Sequence, residues 1–140
     1  MRALLDTDVI LDFLLERRPF FEPASDLLEL NADGVFDAYI SDITPINVFY
    51  IGRKVVGAPK IRQGITDLLK LVRVISITKE SLEEALALPF ADYEDAVQHT
   101  AATSGALDAI VTRDLGDYKN ATLQVFSPSD YLEKLKSQQT

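Results

Sequence analysis

Seven carboxylates fall in three short clusters of this chain. Asp6 and Asp8 lie in Leu4-Leu5-Asp6-Thr7-Asp8-Val9-Ile10, Asp92, Glu94 and Asp95 in Asp92-Tyr93-Glu94-Asp95, and Asp114 and Asp117 in Thr112-Arg113-Asp114-Leu115-Gly116-Asp117. Carboxylates brought close together repel, so a fold that gathers them needs a counter-charge. A hard divalent cation with oxygen ligands supplies it, and Mg²⁺ or Mn²⁺ fits a donor set without His or Cys. Each cluster also has an ordinary explanation. Asp8 taken alone reads best as a helix cap, Asp92 as an N-cap with Glu94 and Asp95 favouring the helix dipole, and Asp117 as a turn residue. Asp6 differs, because it ends an apolar run and is followed by a second acid.

The elements that would position these acids follow from the pattern. Ala3-Leu4-Leu5 reads as a buried strand, and Val9, Ile10, Phe13 and Leu14 recur at helical spacing up to Pro19. Pro23 opens a second helix, carrying Ala24, Leu27, Leu28 and Leu30. Ala38–Ser41 is a second strand, and Thr44-Pro45 reads as a cap and first turn of a helix ending at Gly57. A further helix with Ile61, Ile65, Leu68 and Leu69 leads to a third strand over 72–77 and a helix over 79–88. Asp92 opens a helix of small residues closed by Gly105. Ala109–Thr112 and Gln124–Phe126 are the last strands, and a helix over 128–136 precedes a tail, 137–140, expected to fray. Strands alternating with helices predict an α/β domain over 1–136 with a mostly parallel sheet. In such a sheet, strand ends of one kind share an edge, where ligands collect. Asp6 and Asp114 become neighbours if the first and fourth strands are adjacent. Asp92 and Asp95, three apart, share a helix face that starts at that edge.

The chain has 140 residues, 47% apolar and 26% charged, a composition that suits one domain with a real core. Its net charge of −8 argues against a broad basic groove for nucleic acid, but not against an acidic pocket that binds phosphate esters through a metal. Without cysteine, disulfides and thiolate metal sites are excluded. The sequence holds no apolar run long enough to span a membrane and no secretory leader at Met1-Arg2-Ala3, so a cytoplasmic location is the expectation. Arg17-Arg18, Arg53-Lys54 and Lys60-Arg62 read as solvated charge, with RNA contact the alternative. His99, the single histidine, follows Asp95 by four, and a structural role is preferred to general-base work.

Taken together, Leu4-Leu5-Asp6-Thr7-Asp8-Val9-Ile10-Leu11-Asp12, Asp92-Tyr93-Glu94-Asp95-Ala96-Val97-Gln98 and Thr112-Arg113-Asp114-Leu115-Gly116-Asp117-Tyr118 resemble the PIN domain, the family that includes the VapC-type toxins of bacterial toxin–antitoxin pairs. The resemblance covers nearly the whole chain. It implies an α/β/α sandwich around a five-stranded parallel sheet, and Mg²⁺- or Mn²⁺-dependent cleavage of RNA by a water that attacks the phosphodiester in line. By the same resemblance, Asp6, Asp95 and Asp114 are the metal-binding and catalytic acids, with Thr112 a site hydroxyl and Asp92 and Asp117 outer members. Where the family tends to carry an acid in the helix after the second strand, this chain has Asn47, a neutral oxygen ligand that should weaken metal binding. Arg113 is a candidate RNA contact. An antitoxin protein and RNA are the implied partners, and Phe20, Phe21, Phe49 and Tyr50 suggest a homodimer.

Two other readings remain open. One is a PIN-fold interaction module that lost strong metal binding through Asn47. The other is a phosphatase resembling the haloacid dehalogenases, in which Asp6 would be phosphorylated. That chemistry needs a Lys near a later strand end, and Thr112-Arg113-Asp114 does not supply it.

Overall fold

Short β-rich runs and longer amphipathic stretches fold into alternating strands and helices, in a computed structural model that describes residues 1–139. The strands are β1 (Arg2–Leu5), β2 (Asp37–Ser41), β3 (Arg73–Ile75), β4 (Ala109–Val111) and β5 (Gln124–Phe126). The helices are α1 (Thr7–Leu14), α2 (Phe21–Ala32), α3 (Thr44–Val56), α4 (Ala58–Leu71), α5 (Lys79–Leu86), α6 (Tyr93–Ser104) and α7 (Pro128–Gln139). All strand pairings are parallel, in the order β3-β2-β1-β4-β5. β1 and β4 are therefore adjacent, as the site required, with Leu5 paired to Val111. The chain reverses its strand order at this pair, which is where open α/β sheets form their ligand crevice.

The strand period of two divides the core into layers. Ala3, Leu5, Ala38, Ile40, Ala109 and Val111 face one side, packing under Val9, Leu27, Val48, Leu68 and Tyr131 from α1, α2, α3, α4 and α7. Leu4 and Ile110 face the other, meeting Ala102 of α6, Leu107 and Tyr118. Each fully buried Leu or Ile contributes roughly 1.5–3 kcal/mol. The result is the expected α/β/α sandwich around a five-stranded parallel sheet. Among the described residues, no helix is long and apolar enough to cross a membrane.

Several boundaries differ from the sequence pattern. α1 stops at Leu14, because Glu16 takes a left-handed φ of 51° and turns the chain early. α2 starts at Phe21 and holds Pro23 in its first turn, where its missing N–H costs nothing. Thr44 is already inside α3. Its buried hydroxyl bonds that of Thr7 at 3.1 Å instead of capping the helix. Gly105 has an ordinary φ of −81°, while Ala106 carries the left-handed φ of 55°. A Cβ at 105 would meet Ile75 Cδ1, so a larger residue there would require the Ile75 side chain to shift. α7 runs on to Gln139, through most of the segment expected to fray, and Thr140 lies outside the described residues.

Candidate active site

Asp6 leaves β1 with its backbone N–H bonded to the Val111 carbonyl at 2.9 Å. Its extended backbone (φ −69°, ψ 159°) makes it the N-cap of α1, accepting the Thr7 N–H at 2.8 Å. The same carboxylate accepts the Thr112 hydroxyl at 3.0 Å and the Tyr118 hydroxyl at 3.2 Å. Asp6 is only 8% exposed, and burial pushes its carboxyl above the usual range despite those three donors.

The Tyr118 hydroxyl also lies 3.4 Å from Asp95 Oδ1. One phenolic proton thus serves two acids from opposite elements, β1 and the start of α6. Desolvation and the two carboxylates push the Tyr118 phenol far up, so it stays a donor. Asp95 is pushed up to about 7, by burial first and then by Asp6, Asp92, Asp117 and Glu94. Asp92 caps α6, accepting the Asp95 N–H at 3.0 Å, while also lining the cleft. Glu94 is bonded by the Asn47 side-chain amide at 2.9 Å, and burial followed by Asp6 raises its carboxyl.

Asp8 is not a cap, which corrects the expectation. Asp6 holds that position, and Asp8 is already within the helix, turned towards the β4 loop. Its Oδ2 accepts the Arg113 N–H at 3.3 Å, while its Oδ1 is buried with no partner. Burial, then Asp6, pushes it up to about 7. Thr112, fully buried, ties the loop together: its oxygen donates to Asp6 and accepts the Asp114 N–H at 3.2 Å. Asp114 lines the cleft from this loop, with Asp117 beside it on the short 3-10 turn Leu115–Tyr118. The Asp117 carboxyl is raised by burial and then by its contact with Asp114.

The three sequence clusters therefore line one open cleft of about 420 Å³, together with Asn47 of α3. Among the described residues no Lys, Arg or His lines it, so the lysine that phosphatase chemistry needs is missing from these walls. Removing its seven carboxylates from the chain's 22 leaves 15 acids against 14 Lys and Arg, so the acidity of this protein is concentrated in the cleft. Arg113 directs its charge elsewhere. Its Nε bonds Asp12 at 3.1 Å and its guanidinium stacks over Phe20 at 4.0 Å. His99 has the structural role: buried against the Phe90 ring, it accepts the Thr122 N–H at 3.0 Å, and burial lowers its pKa.

Two observations fit a hard divalent cation. The donors are oxygens, the charged forms of Asp6, Asp8, Glu94 and Asp95 are penalised by burial, and Asp8 Oδ1 is an orphaned buried acceptor. Yet among the described residues no three acids are grouped closely enough to hold one ion together. The Tyr118 hydroxyl stands between Asp6 and Asp95, and Asp114 faces Asp117. Direct ligation of one ion by Asp6, Asp95 and Asp114 is thus not formed. The donor set suits an ion that keeps several waters and uses one or two carboxylates, as Mg²⁺ does. Tyr118 and Glu94 were missed as site residues from sequence. Each is adjacent to a candidate acid, but a ring beside Asp117 reads as core.

A family model described as PIN domain matches residues 2–116. No curated protein matches the chain. Among solved structures, a toxin–antitoxin complex from Klebsiella pneumoniae is 24% identical, with a TM-score of 0.67 over 90% of this chain and 97% of that one. VapBC2 from Rickettsia felis, solved with a DNA fragment from its promoter, is 16% identical, with a TM-score of 0.69 over 89% of this chain and 97% of that one. VapC20 from Mycobacterium tuberculosis, described as a sarcin-ricin loop cleaving toxin, is 14% identical, with a TM-score of 0.70 over 86% of this chain and 95% of that one. At these identities the likeness establishes the fold.

Proposed function

The chain belongs to the PIN domain family, and we propose that it is a metal-dependent ribonuclease, the toxin of a toxin–antitoxin pair, acting in the cytoplasm as a homodimer. One observation carries the reading: seven carboxylates from β1–α1, α6 and the β4 loop line a single cleft that no cationic side chain enters. Asp6, Asp95 and Asp114 are the residues assigned to Mg²⁺ or Mn²⁺, some of them through its bound waters, with Asp8 Oδ1 as a further oxygen. When bound, the cation supplies positive charge for the RNA phosphate and lowers the pKa of a water. The protein's own part is positioning. Thr112 and Tyr118 hold the Asp6 carboxylate from two sides. Asn47 donates its side-chain amide to Glu94 at 2.9 Å and so positions a carboxylate beside itself. Support for the partners comes from the neighbours of the same fold, two of which are described as a toxin–antitoxin complex and a sarcin-ricin loop cleaving toxin.

A second reading, a PIN-fold interaction module with weak metal binding, is favoured by the absence of a three-acid group for direct ligation among the described residues. One experiment separates the two. Purified protein is incubated with labelled RNA in Mn²⁺, Mg²⁺ or chelator, alongside Asp6→Asn. Cleavage that needs the metal and disappears in Asp6→Asn is the expected result. No cleavage of any RNA, with no melting shift on adding metal, would leave the interaction module. Light scattering gives the oligomeric state in the same preparation.

A further inference from the structure

From Ile43 to Thr66 the chain has no Asp or Glu, yet carries Arg53, Lys54, Lys60 and Arg62. In a protein of net charge −8 this is a strong segregation, and it falls on one element pair, the α3–α4 hairpin. Gly57, with its left-handed φ of 87°, turns one helix directly into the other. Among the described residues, every arginine but two bonds or ion-pairs with a carboxylate or carbonyl oxygen: Arg2, Arg17, Arg18, Arg73 and Arg113. Arg53 and Arg62 contact ring faces instead. Arg53 lies 4.8 Å from the Tyr50 ring centroid, and Arg62 lies 5.1 Å from that of Phe49. The two rings meet edge to face at 5.1 Å. The stack borders a groove of about 430 Å³ floored by Ile46 and Ile65, and Tyr50 is 53% exposed.

This ledge adjoins the acidic cleft. Asn47 and Ile51 of α3 line the cleft, while Ile46, Phe49 and Tyr50 of the same helix line the groove. Resting on the reading of the cleft as a ribonuclease site, we infer that the α3–α4 ledge is the second half of its RNA surface, and that it takes a single strand beside the bond to be cut. The rings hold both guanidinium groups in place with their N–H forks unspent, which suits bidentate contact with phosphates. Exposed aromatic and guanidinium planes offer unpaired bases a stacking platform, and a duplex hides those base faces. An acidic peptide would match the charge but carries no bases to stack on the rings.

Fluorescence anisotropy with a 5′-fluorescein single-stranded oligoribonucleotide tests this, in full-length Asp6→Asn protein so that the probe survives. The probe binds, and Arg53→Ala/Arg62→Ala weakens it about tenfold, because two phosphate contacts are lost. The slope of log affinity against log salt becomes shallower by about 1.4, at about 0.7 per contact on a single strand. Lys134→Ala/Lys136→Ala on α7, with the same charge change, leaves binding unaltered. Tyr50→Ala weakens binding without changing the salt slope. No binding by the Asp6→Asn protein, equal losses in both double variants, or an unchanged affinity in Arg53→Ala/Arg62→Ala would overturn the inference. So would tighter binding of a polyglutamate peptide, or loss of self-association in place of RNA binding. Cleavage is measured separately with Asp6 intact. Cutting that survives while the arginines prove irrelevant removes only the ledge. Binding through the arginines with no cutting by any preparation removes the nuclease and leaves the ledge as an RNA-binding surface.

Discussion

Asp8 and Asp12 sit one turn apart on α1, and the protein treats them in opposite ways. Asp12 is 1% exposed and bonds two arginines, Arg17 at 2.9 Å and Arg113 at 3.1 Å. Burial still raises its carboxyl, but both guanidinium groups oppose the rise. Asp8 has one oxygen on a backbone N–H and the other orphaned, and it shares its cleft with six more acids. At Asp95 every neighbouring charge pushes the same way. Burial of a carboxylate therefore does not by itself mark function. The useful distinction is where the counter-charge resides. At Asp12 two guanidinium groups of the fold supply it, at Asp8 the Arg113 charge opposes burial and Asp6 without a side-chain bond, and at Asp95 it must come from outside.

The sharpest test of that contrast is activity. Asp6→Asn keeps shape and removes charge, and should lower metal-dependent RNA cleavage by about 100-fold or more, the upper range for disturbing even outer-shell partners of a metal. Asp12→Asn should retain activity in proportion to its folded fraction. Equal losses in the two variants would erase the distinction between cleft and anchor.

Stability should reverse the order. Asp12→Asn loses charge-assisted bonds to two half-exposed arginines and should cost about 1.5 kcal/mol, in Mn²⁺ and in chelator alike. Asp6→Asn or Asp95→Asn should cost less, because each also relieves repulsion. A metal ion saturating the wild type about 100-fold above its Kd would add about 2.7 kcal/mol to unfolding, and these two variants should blunt that gain. A full metal-induced rise in Tm in Asp95→Asn would place the ion elsewhere.

Asn47→Glu probes the cleft from α3. It removes the amide donor to Glu94 and adds a like charge, so the variant should melt lower in chelator. Mn²⁺ should restore most of the difference, and an unchanged metal affinity would show that position 47 does not face the ion.

The smallest expected effect is with pH. The carboxyls of Asp8 and Asp95 sit at about 7 in the folded protein, against an ordinary 3.8. Between about pH 4 and 7 the folded state then holds more protons than the unfolded one, so stability falls as pH rises through that window. In chelator Tm should drop by a few degrees between pH 5 and 7.5. Asp8→Asn, Asp95→Asn or added Mn²⁺ should each flatten the profile. A Tm that rises over this range in chelator would mean that the cleft acids are already compensated.

Much of the fold is legible in local pattern. Ala3-Leu4-Leu5, Ala109-Ile110-Val111 and the helix start at Asp92 announce themselves by apolar period and capping chemistry, because neighbouring residues share those constraints. The placement of Asp6, Asp95 and Asp114 on one cleft follows from strand order once β1 lies beside β4. Asp8 was assigned to the cap because a helix-start Asp looks the same in sequence whether its carboxylate turns to its own backbone or away. Tyr118 and the Arg113–Asp12 bond carry no local signature, because their partners lie far along the chain.

The sequence by itself determined the class of this protein: an α/β chain with its acids gathered at helix starts and strand ends, with no thiol or imidazole cluster to bind a soft metal. Only the tertiary structure decided which acid is which. The Thr112 and Tyr118 hydroxyls reach Asp6 across separations of 106 and 112 residues, and Arg113 crosses from the β4 loop to pair its side chain with Asp12 and give Asp8 its backbone N–H. Spacing along a chain encodes the face of a helix or strand, which is a short-range property. Whether a buried charge meets a partner depends on which distant segment packs against it, and that is settled when β4 docks beside β1.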